Sequence, residues 1–140
     1  EKDFDLKDIN AKQIYDKYKN KEIKWCHSTL EEVKSNITSF NKKYIEAFNF
    51  IKGKVENTLI DETNLPNKIS LLRLDTDFYE STKKELEVLF PRLVSGGVLI
   101  IDDYGHWKGA KKAVDEYFQL SKNFEWLHRI DYASRLLIKK

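Results

Sequence analysis

Two short segments of the sequence place a pair of aspartates directly after a run of apolar residues. In LLRLDTDFYEST the pair is Asp75 and Asp77, and in VLIIDDYG it is Asp102 and Asp103. A near-continuous apolar run is typical of a strand that is buried on both faces, as in a parallel sheet. In open α/β sheets, ligands bind beyond the carboxyl ends of such strands, which is where these four side chains are predicted to lie.

Four carboxylates at one edge of a sheet would suit a divalent cation. Neighbouring strands lie about 4.8 Å apart, so the acids of both segments can converge. Like charges at that distance repel, and a shared proton or a cation relieves the repulsion. Oxygen ligands favour a hard ion, with magnesium first and manganese or calcium as alternatives. The competing interpretation is that these aspartates only end strands, form turns and cap helices. The presence of four aspartates at one edge of the sheet favours a functional role over this structural one.

Hydrophobic periodicity predicts the elements that would position these acids. ISLLRL and VLIID are predicted to be the two buried strands. A helix is predicted between them, with Leu93 as its last apolar position, and Pro91, Gly96 and Gly97 mark its end. KGAKKAVDEYFQL is a second amphipathic helix. FEWLHRI and SRLLIKK are predicted to pair as a hairpin across residues 131–133. The alternation predicts an α/β fold with a mostly parallel sheet and an antiparallel edge strand.

The first part of the chain offers structure but little chemistry. Residues 1–27 are expected to form an exposed lead-in with a helical piece around Ala11–Tyr18. Ser28 with Glu31 matches a capping box, and STLEEVKSNITSF has the spacing of an amphipathic helix. AFNFIKG is predicted to be a short strand closed by Gly53, followed by a turn of helix in VENTL.

Composition limits the class of protein. With 140 residues, 41% of them hydrophobic, the chain is long enough for one domain over residues 1–140. A net charge of +2 gives no electrostatic footprint for nucleic acid, and no apolar run approaches the roughly 20 residues of a membrane span. The single cysteine, Cys26, cannot form an internal disulfide, so we expect a cytoplasmic protein. Cys26 and His27 are assigned a structural or surface role rather than a nucleophilic one.

The segment LLRLDTDFYESTKKELEVLFPRLVSGGVLIIDDYGHWKGAKKAVDEYF closely resembles the macrocin O-methyltransferase family, which includes novobiocin-type sugar methyltransferases. The shared motifs are L-R-L-D-x-D-x-Y-E-S-T and P-R-L-x-x-G-G-x-x-I-x-D-D-Y-G, and FIKGKVENTL upstream is also similar, so the resemblance covers about residues 28–120. It implies a Rossmann-like sheet and an enzyme that uses S-adenosylmethionine and a magnesium or manganese ion. It also implies methylation of a sugar hydroxyl on a natural product or glycan.

The resemblance also implies roles for the four aspartates. Asp75, Asp102 and Asp103 match the metal ligands of the family, and Asp77 matches its proposed general base. These roles agree with physical chemistry, because a metal ion lowers the pKa of a bound hydroxyl and a nearby carboxylate can then take the proton.

The chain departs from the family in the elements that hold most of the cofactor. The first strand of the family, its glycine-rich loop and the acidic residue after its second strand have no counterpart in this chain. The five glycines of the chain form no G-x-G-x-x-G turn. The sequence also begins at Glu1 and contains no methionine. We therefore expect the carboxyl-terminal part of a methyltransferase domain without its first strands, which binds a divalent ion weakly and does not methylate by itself.

Four aromatic or imidazole side chains near the acids are candidate substrate contacts, with packing as the competing role. They are Tyr79, Tyr104, His106 and Trp107. The expected partner is a small-molecule glycoside or glycan acceptor. The sequence also leaves homo-oligomerisation of the chain open. Nucleic acid and membranes are not expected partners.

Two other functions remain open on the sequence. A D-x-D motif also occurs in metal-dependent glycosyltransferases, which would prefer manganese and bind a nucleotide diphosphate. The second alternative is a non-catalytic fragment that serves in binding or oligomerisation.

Overall fold

The computed structural model of the chain describes residues 3–21, 28–40, 42–120 and 126–140. The chain divides into two compact units, of which the first contains the residues up to Ala11 together with Gly53–Lys140, and the second contains Lys12–Lys52. All four aspartates belong to the first unit. The predictions for Cys26 and His27 lie outside the described residues, and the single domain over residues 1–140 stays a prediction.

The described strands form one four-stranded sheet. They are β1 (Ile69–Leu74), β2 (Leu93–Ile101), β3 (His128–Arg129) and β4 (Arg135–Ile138). The strand order is β1-β2-β4-β3, in which β1 and β2 are parallel, β4 is antiparallel to β2, and β3 is antiparallel to β4. The predicted α/β class, the parallel pair and the terminal hairpin are confirmed. The antiparallel part is larger than predicted, because both strands of the hairpin belong to it.

Five α-helices occur in the described part of the chain. They are α1 (Ala11–Tyr18), α2 (Leu30–Phe40), α3 (Val55–Thr58), α4 (Tyr79–Leu89) and α5 (Lys108–Leu120), and short 3₁₀ helices cover Lys42–Ala47, Glu62–Asn64 and Phe90–Arg92. A helical segment was predicted at each of these five positions, from apolar periodicity in the case of α2, α4 and α5. None of the helices that the structure describes has the length and apolar character needed to cross a membrane.

The hydrophobic core fixes the parallel pair of strands against the two long helices that follow them. Alternate residues of β1 and β2, including Leu74 and Ile101, point into one buried cluster. Leu86 of α4 and Val114 of α5 join it, and both are fully buried. Every second residue of each strand and one side of each helix face this core. Packing in the core therefore holds the carboxyl ends of β1 and β2 in register.

The strand predicted for AFNFIKG is wrong. Residues 48–52 have no regular secondary structure, and Ala47 ends a 3₁₀ helix. The reason is that a strand needs a hydrogen-bonded neighbour for its backbone N–H and C=O groups. The sheet formed by the described residues does not include this segment.

Two predicted helix boundaries are also corrected. The capping box of α2 uses Thr29 and Glu32 rather than Ser28 and Glu31: the Glu32 side chain accepts from the Thr29 amide at 2.6 Å, and the Thr29 hydroxyl accepts from the Glu32 amide at 3.1 Å. Leu93 begins β2 instead of ending α4. Pro91 lacks an amide donor and lies in the 3₁₀ turn after α4, so the helical pattern does not continue to Leu93.

The lead-in expected for residues 1–27 is not exposed throughout. Asp5 is only 7% exposed and forms a β-bridge with Trp107, while the Lys108 amide donates to the Phe4 carbonyl at 2.9 Å. These long-range backbone contacts have no local sequence signal. Residues 3–11 therefore pack on the loop that follows β2.

Two leucines of β1 provide a test of this packing. Leu74 is 2% exposed and Leu71 is 61% exposed. We expect Leu74→Ala to lower the free energy of unfolding by about 2–5 kcal/mol, because it leaves a cavity in the core. Leu71→Ala, the matched control, should lower it by less than about 1 kcal/mol. Chemical denaturation of both variants measures the difference; equal losses would contradict the assigned core.

Candidate metal-binding site

The register of β1 and β2 brings the two aspartate segments together. Leu74 pairs with Ile101 as the last residue of each strand, and the Asp102 amide donates to the Leu74 carbonyl at 3.0 Å. The parallel ladder thus extends one residue beyond β2. Asp75 and Asp102 consequently start the two following loops at the same edge of the sheet, as the sequence predicts.

Three of the four carboxylates converge at this edge. One oxygen each of Asp75, Asp77 and Asp103 lies within 4.8 Å of the others. Asp77 has a φ of 67°, in the left-handed region that side chains other than glycine seldom adopt. In this conformation its amide donates to Oδ2 of Asp103 at 3.2 Å. The strained turn therefore joins the two segments directly.

Asp102 has different contacts from those three. Its Oδ2 lies 3.0 Å from Nη2 of Arg73, and its Oδ1 accepts from the Ser134 hydroxyl at 3.1 Å. The same Arg73 nitrogen lies 3.1 Å from Oδ2 of Asp75. The converging set thus contains Asp77, the predicted base, and leaves Asp102 beside it. The division into ligands and base stays a prediction.

Burial and mutual repulsion change the protonation of the cluster. Burial raises the pKa of Asp103 to about 7, and the charge of Asp77 adds to this effect. Burial is also the main cause that raises the pKa of Asp77 and of Asp75. The apo cluster therefore favours a bound proton near neutral pH. A divalent cation would relieve the same repulsion, and a set of carboxylate oxygens fits a hard ion such as Mg²⁺ or Mn²⁺.

The two predicted tyrosines contact α5 rather than the acidic cluster. The Tyr79 hydroxyl donates to Oε2 of Glu116 at 2.6 Å, and the Tyr104 hydroxyl donates to Oδ1 of Asp115 at 2.7 Å. Both rings are half-buried. The Tyr79 contact joins α4 to α5, and the Tyr104 contact joins the loop after β2 to α5. A role in substrate binding stays a prediction for both tyrosines.

Trp107 contacts the cluster through Asp77, and the ring of His106 packs against that of Trp107. Trp107 is 2% exposed, and its ring meets Phe78 edge-on at 5.7 Å between centroids. A hydrogen bond from its side chain to Asp77 partly offsets the increase in the Asp77 pKa. Trp107 is thus placed to orient Asp77. His106 is half-buried and meets Tyr132 edge-on at 6.1 Å, and its contact with substrate stays a prediction.

The sequence interpretation missed a buried acid under the D-T-D turn. Glu85 is 5% exposed, and its Oε2 accepts from the Thr76 hydroxyl at 2.9 Å. Burial raises the pKa of Glu85 to about 7. A signal was present, because residues 82, 85, 86 and 89 follow the spacing of a buried helical stripe. Arg73 and Ser134, which bind Asp102, were also missed, and Ser134 has no local signal.

Comparison with known proteins connects this geometry to one family. Residues 6–138 match the sequence model of the macrocin-O-methyltransferase (TylF) family. The chain is 38% identical over 87 residues to demethyldecarbamoylnovobiocin O-methyltransferase of Streptomyces niveus, which covers 62% of this chain and 32% of that protein. It is 36% identical over 88 residues to 8-demethyl-8-(2,3-dimethoxy-alpha-L-rhamnosyl)-tetracenomycin-C 4'-O-methyltransferase of Streptomyces olivaceus, covering 63% of this chain and 32% of that protein.

A solved structure supports the same relationship. The O-methyltransferase NovP superimposes with a TM-score of 0.70 at 31% identity, over 79% of this chain and 45% of that one. The chain spans about a third of the length of the curated relatives that it matches.

The pH dependence of stability tests the environment of Glu85. The pKa of its carboxyl is higher in the folded state, so protonation stabilises the fold fully below about pH 4.5, and this stabilisation is lost as pH rises through about 7. Glu85→Gln keeps an acceptor for Thr76 but cannot ionise. Its advantage in unfolding free energy over the parent should grow from near zero at pH 4.5 to up to about 3 kcal/mol at pH 8. A difference that does not change with pH, measured by urea denaturation, would contradict this assignment.

Proposed function

The chain belongs to the macrocin O-methyltransferase family, and on that premise we propose that it forms the metal-binding and base-bearing part of an enzyme that methylates a sugar hydroxyl. The observation that carries the proposal is the convergence of Asp75, Asp77 and Asp103 at the carboxyl ends of two parallel strands. The family match also disfavours the alternative of a D-x-D glycosyltransferase.

We assign the aspartates separate tasks within the site. Asp75, Asp102 and Asp103 would hold a magnesium or manganese ion, which when bound supplies a Lewis acid that lowers the pKa of the acceptor hydroxyl. Asp77 would take the proton of that hydroxyl on its carboxylate as the methyl group passes from the sulfonium sulfur of S-adenosylmethionine to the sugar oxygen, which would release S-adenosylhomocysteine. The increase in the Asp77 pKa suits this task, since a general base works best with a pKa nearer the operating pH.

The surroundings of Asp77 favour its role as the base. Its left-handed backbone and its hydrogen bond from Trp107 hold the carboxylate in one orientation. Arg73 meanwhile lies against Asp75 and Asp102. This asymmetry supports giving Asp77 a task different from that of its neighbours.

The acceptor and the cofactor are proposed from the relatives. The names of both curated relatives describe O-methyltransferases of natural products, and one name specifies a rhamnosyl group. We propose a glycoside or glycan acceptor and S-adenosylmethionine as the methyl donor. Because this chain contains no G-x-G-x-x-G turn, we also propose that by itself it transfers no methyl group. Tight binding of S-adenosylmethionine by the 140-residue chain, measured by isothermal titration, would contradict that.

Metal affinity tests the proposed ligands. We expect the chain to bind Mg²⁺ weakly in isothermal titration, and Asp103→Asn to weaken binding by about tenfold or more, because it removes one converging carboxylate. Asp61→Asn is a matched control, since Asp61 is an exposed aspartate of the same unit that caps a 3₁₀ helix. Its affinity should equal that of the parent. A parent that binds no Mg²⁺, or equal affinities in all three proteins, would refute the site.

The base is tested in the full-length enzyme of which we propose this chain is part. Asp77→Asn should reduce turnover by about 10²-fold or more, because amides do not accept the proton. Mg²⁺ affinity should stay within about threefold, since Asp77 is not assigned as a ligand. Unchanged turnover would exclude Asp77 as the base, and a large loss of Mg²⁺ affinity would make it a ligand instead.

A further inference from the structure

Thr76, which lies between the two aspartates of the D-T-D turn, is held by the helix that follows. Its hydroxyl donates to Oε2 of Glu85 at 2.9 Å. Its carbonyl accepts from the Ser81 hydroxyl at 3.1 Å and from the Phe78 amide at 2.8 Å. Three hydrogen bonds thus fix Thr76, the residue whose two neighbours in the chain are Asp75 and Asp77.

The two side chains that reach Thr76 from α4 are both buried. Ser81 and Glu85 are each 5% exposed and lie four residues apart, which places them on the same face of the helix. This face turns toward the D-T-D turn, whereas Leu86 beside it enters the hydrophobic core. The turn therefore rests on two buried polar side chains of α4.

Stability alone does not account for Glu85 at this position. Among the residues that the structure describes, Glu85 forms no ion pair with a basic side chain. Burial of a carboxyl group without such a pair is unfavourable, and an apolar side chain of similar volume would pack there without that penalty. The turn above it also contains the left-handed Asp77, a conformation that persists only when its surroundings determine it. Departures from the most stable choice are expected at functional sites.

We propose that Glu85 and Ser81 are positioning residues of the metal site, which fix Thr76 and thereby hold the carboxylate of Asp75, a proposed ligand of the divalent cation, at a set distance from the proposed base Asp77. This inference rests on the proposed function. Neither residue contacts the cation; both act through Thr76. The loss of hydrogen bonds that orient the ligands of a metal ion typically changes metal affinity by about 10- to 100-fold.

Mg²⁺ titration of the 140-residue chain tests the proposal with four variants. Thr76→Val removes the hydroxyl with little change in shape, and Glu85→Leu removes its acceptor. Both should weaken Mg²⁺ binding by about tenfold. Glu85→Gln keeps an acceptor and should stay within about threefold of the parent. Thr82→Val is a matched control, because Thr82 is a buried threonine of α4 outside the contacts to Thr76.

Stability measured on the same proteins separates positioning from packing. Glu85→Leu should keep or raise the free energy of unfolding while losing Mg²⁺ affinity, which a structural role alone would not produce. Affinities equal to the parent in Thr76→Val and Glu85→Leu, with affinity lost in Asp103→Asn, would overturn the positioning role and leave the metal site intact. An equal loss in Thr82→Val would also overturn it. A parent chain that binds no Mg²⁺ would overturn the site and the positioning role together.

Discussion

The parallel pairing of β1 with β2 is the interaction on which the site depends. Leu74 and Ile101 are neighbours at the ends of these strands and lie in the buried core, so the position of each strand along the other is fixed by packing as well as by hydrogen bonds. Parallel strands end at the same edge of a sheet. The strand pairing therefore brings the acids that follow to the same edge, and a slip by one residue would exchange buried and exposed faces along each strand.

The same constraint creates an electrostatic problem that the surroundings relieve only in part. Burial and proximity raise the pKa values of Asp75, Asp77 and Asp103. Arg73 lies against Asp75, but it is largely exposed and solvent screens its charge. The left-handed backbone of Asp77 adds strain at the same place. A folded chain that retains this repulsion and strain is best explained if an additional positive charge completes the site.

Local patterns in the sequence were enough to predict the elements and the acidic edge. Apolar runs predicted β1 and β2, and helical spacing predicted α4 and α5. The D-T-D and D-D motifs placed four aspartates at one edge of the sheet, of which Asp75, Asp77 and Asp103 converge. Features that depend on distant partners were not predictable. The AFNFIKG segment has strand-like residues but no neighbour in the sheet that the structure describes, and the burial of Asp5 depends on a bridge to Trp107, about a hundred positions away. The pairing of Asp102 with Ser134 likewise arises from the hairpin returning beside β2.

The central claim is that the acidic edge holds a divalent cation. Anomalous X-ray diffraction from crystals of the chain grown with Mn²⁺ would test it most directly, because the anomalous signal of manganese gives the position of the ion without assumptions about its ligands. The account predicts an anomalous peak about 2.0–2.3 Å from carboxylate oxygens of the D-T-D and D-D segments. A peak only at other acidic groups, or no peak at this edge with Mn²⁺ present in excess, would contradict it.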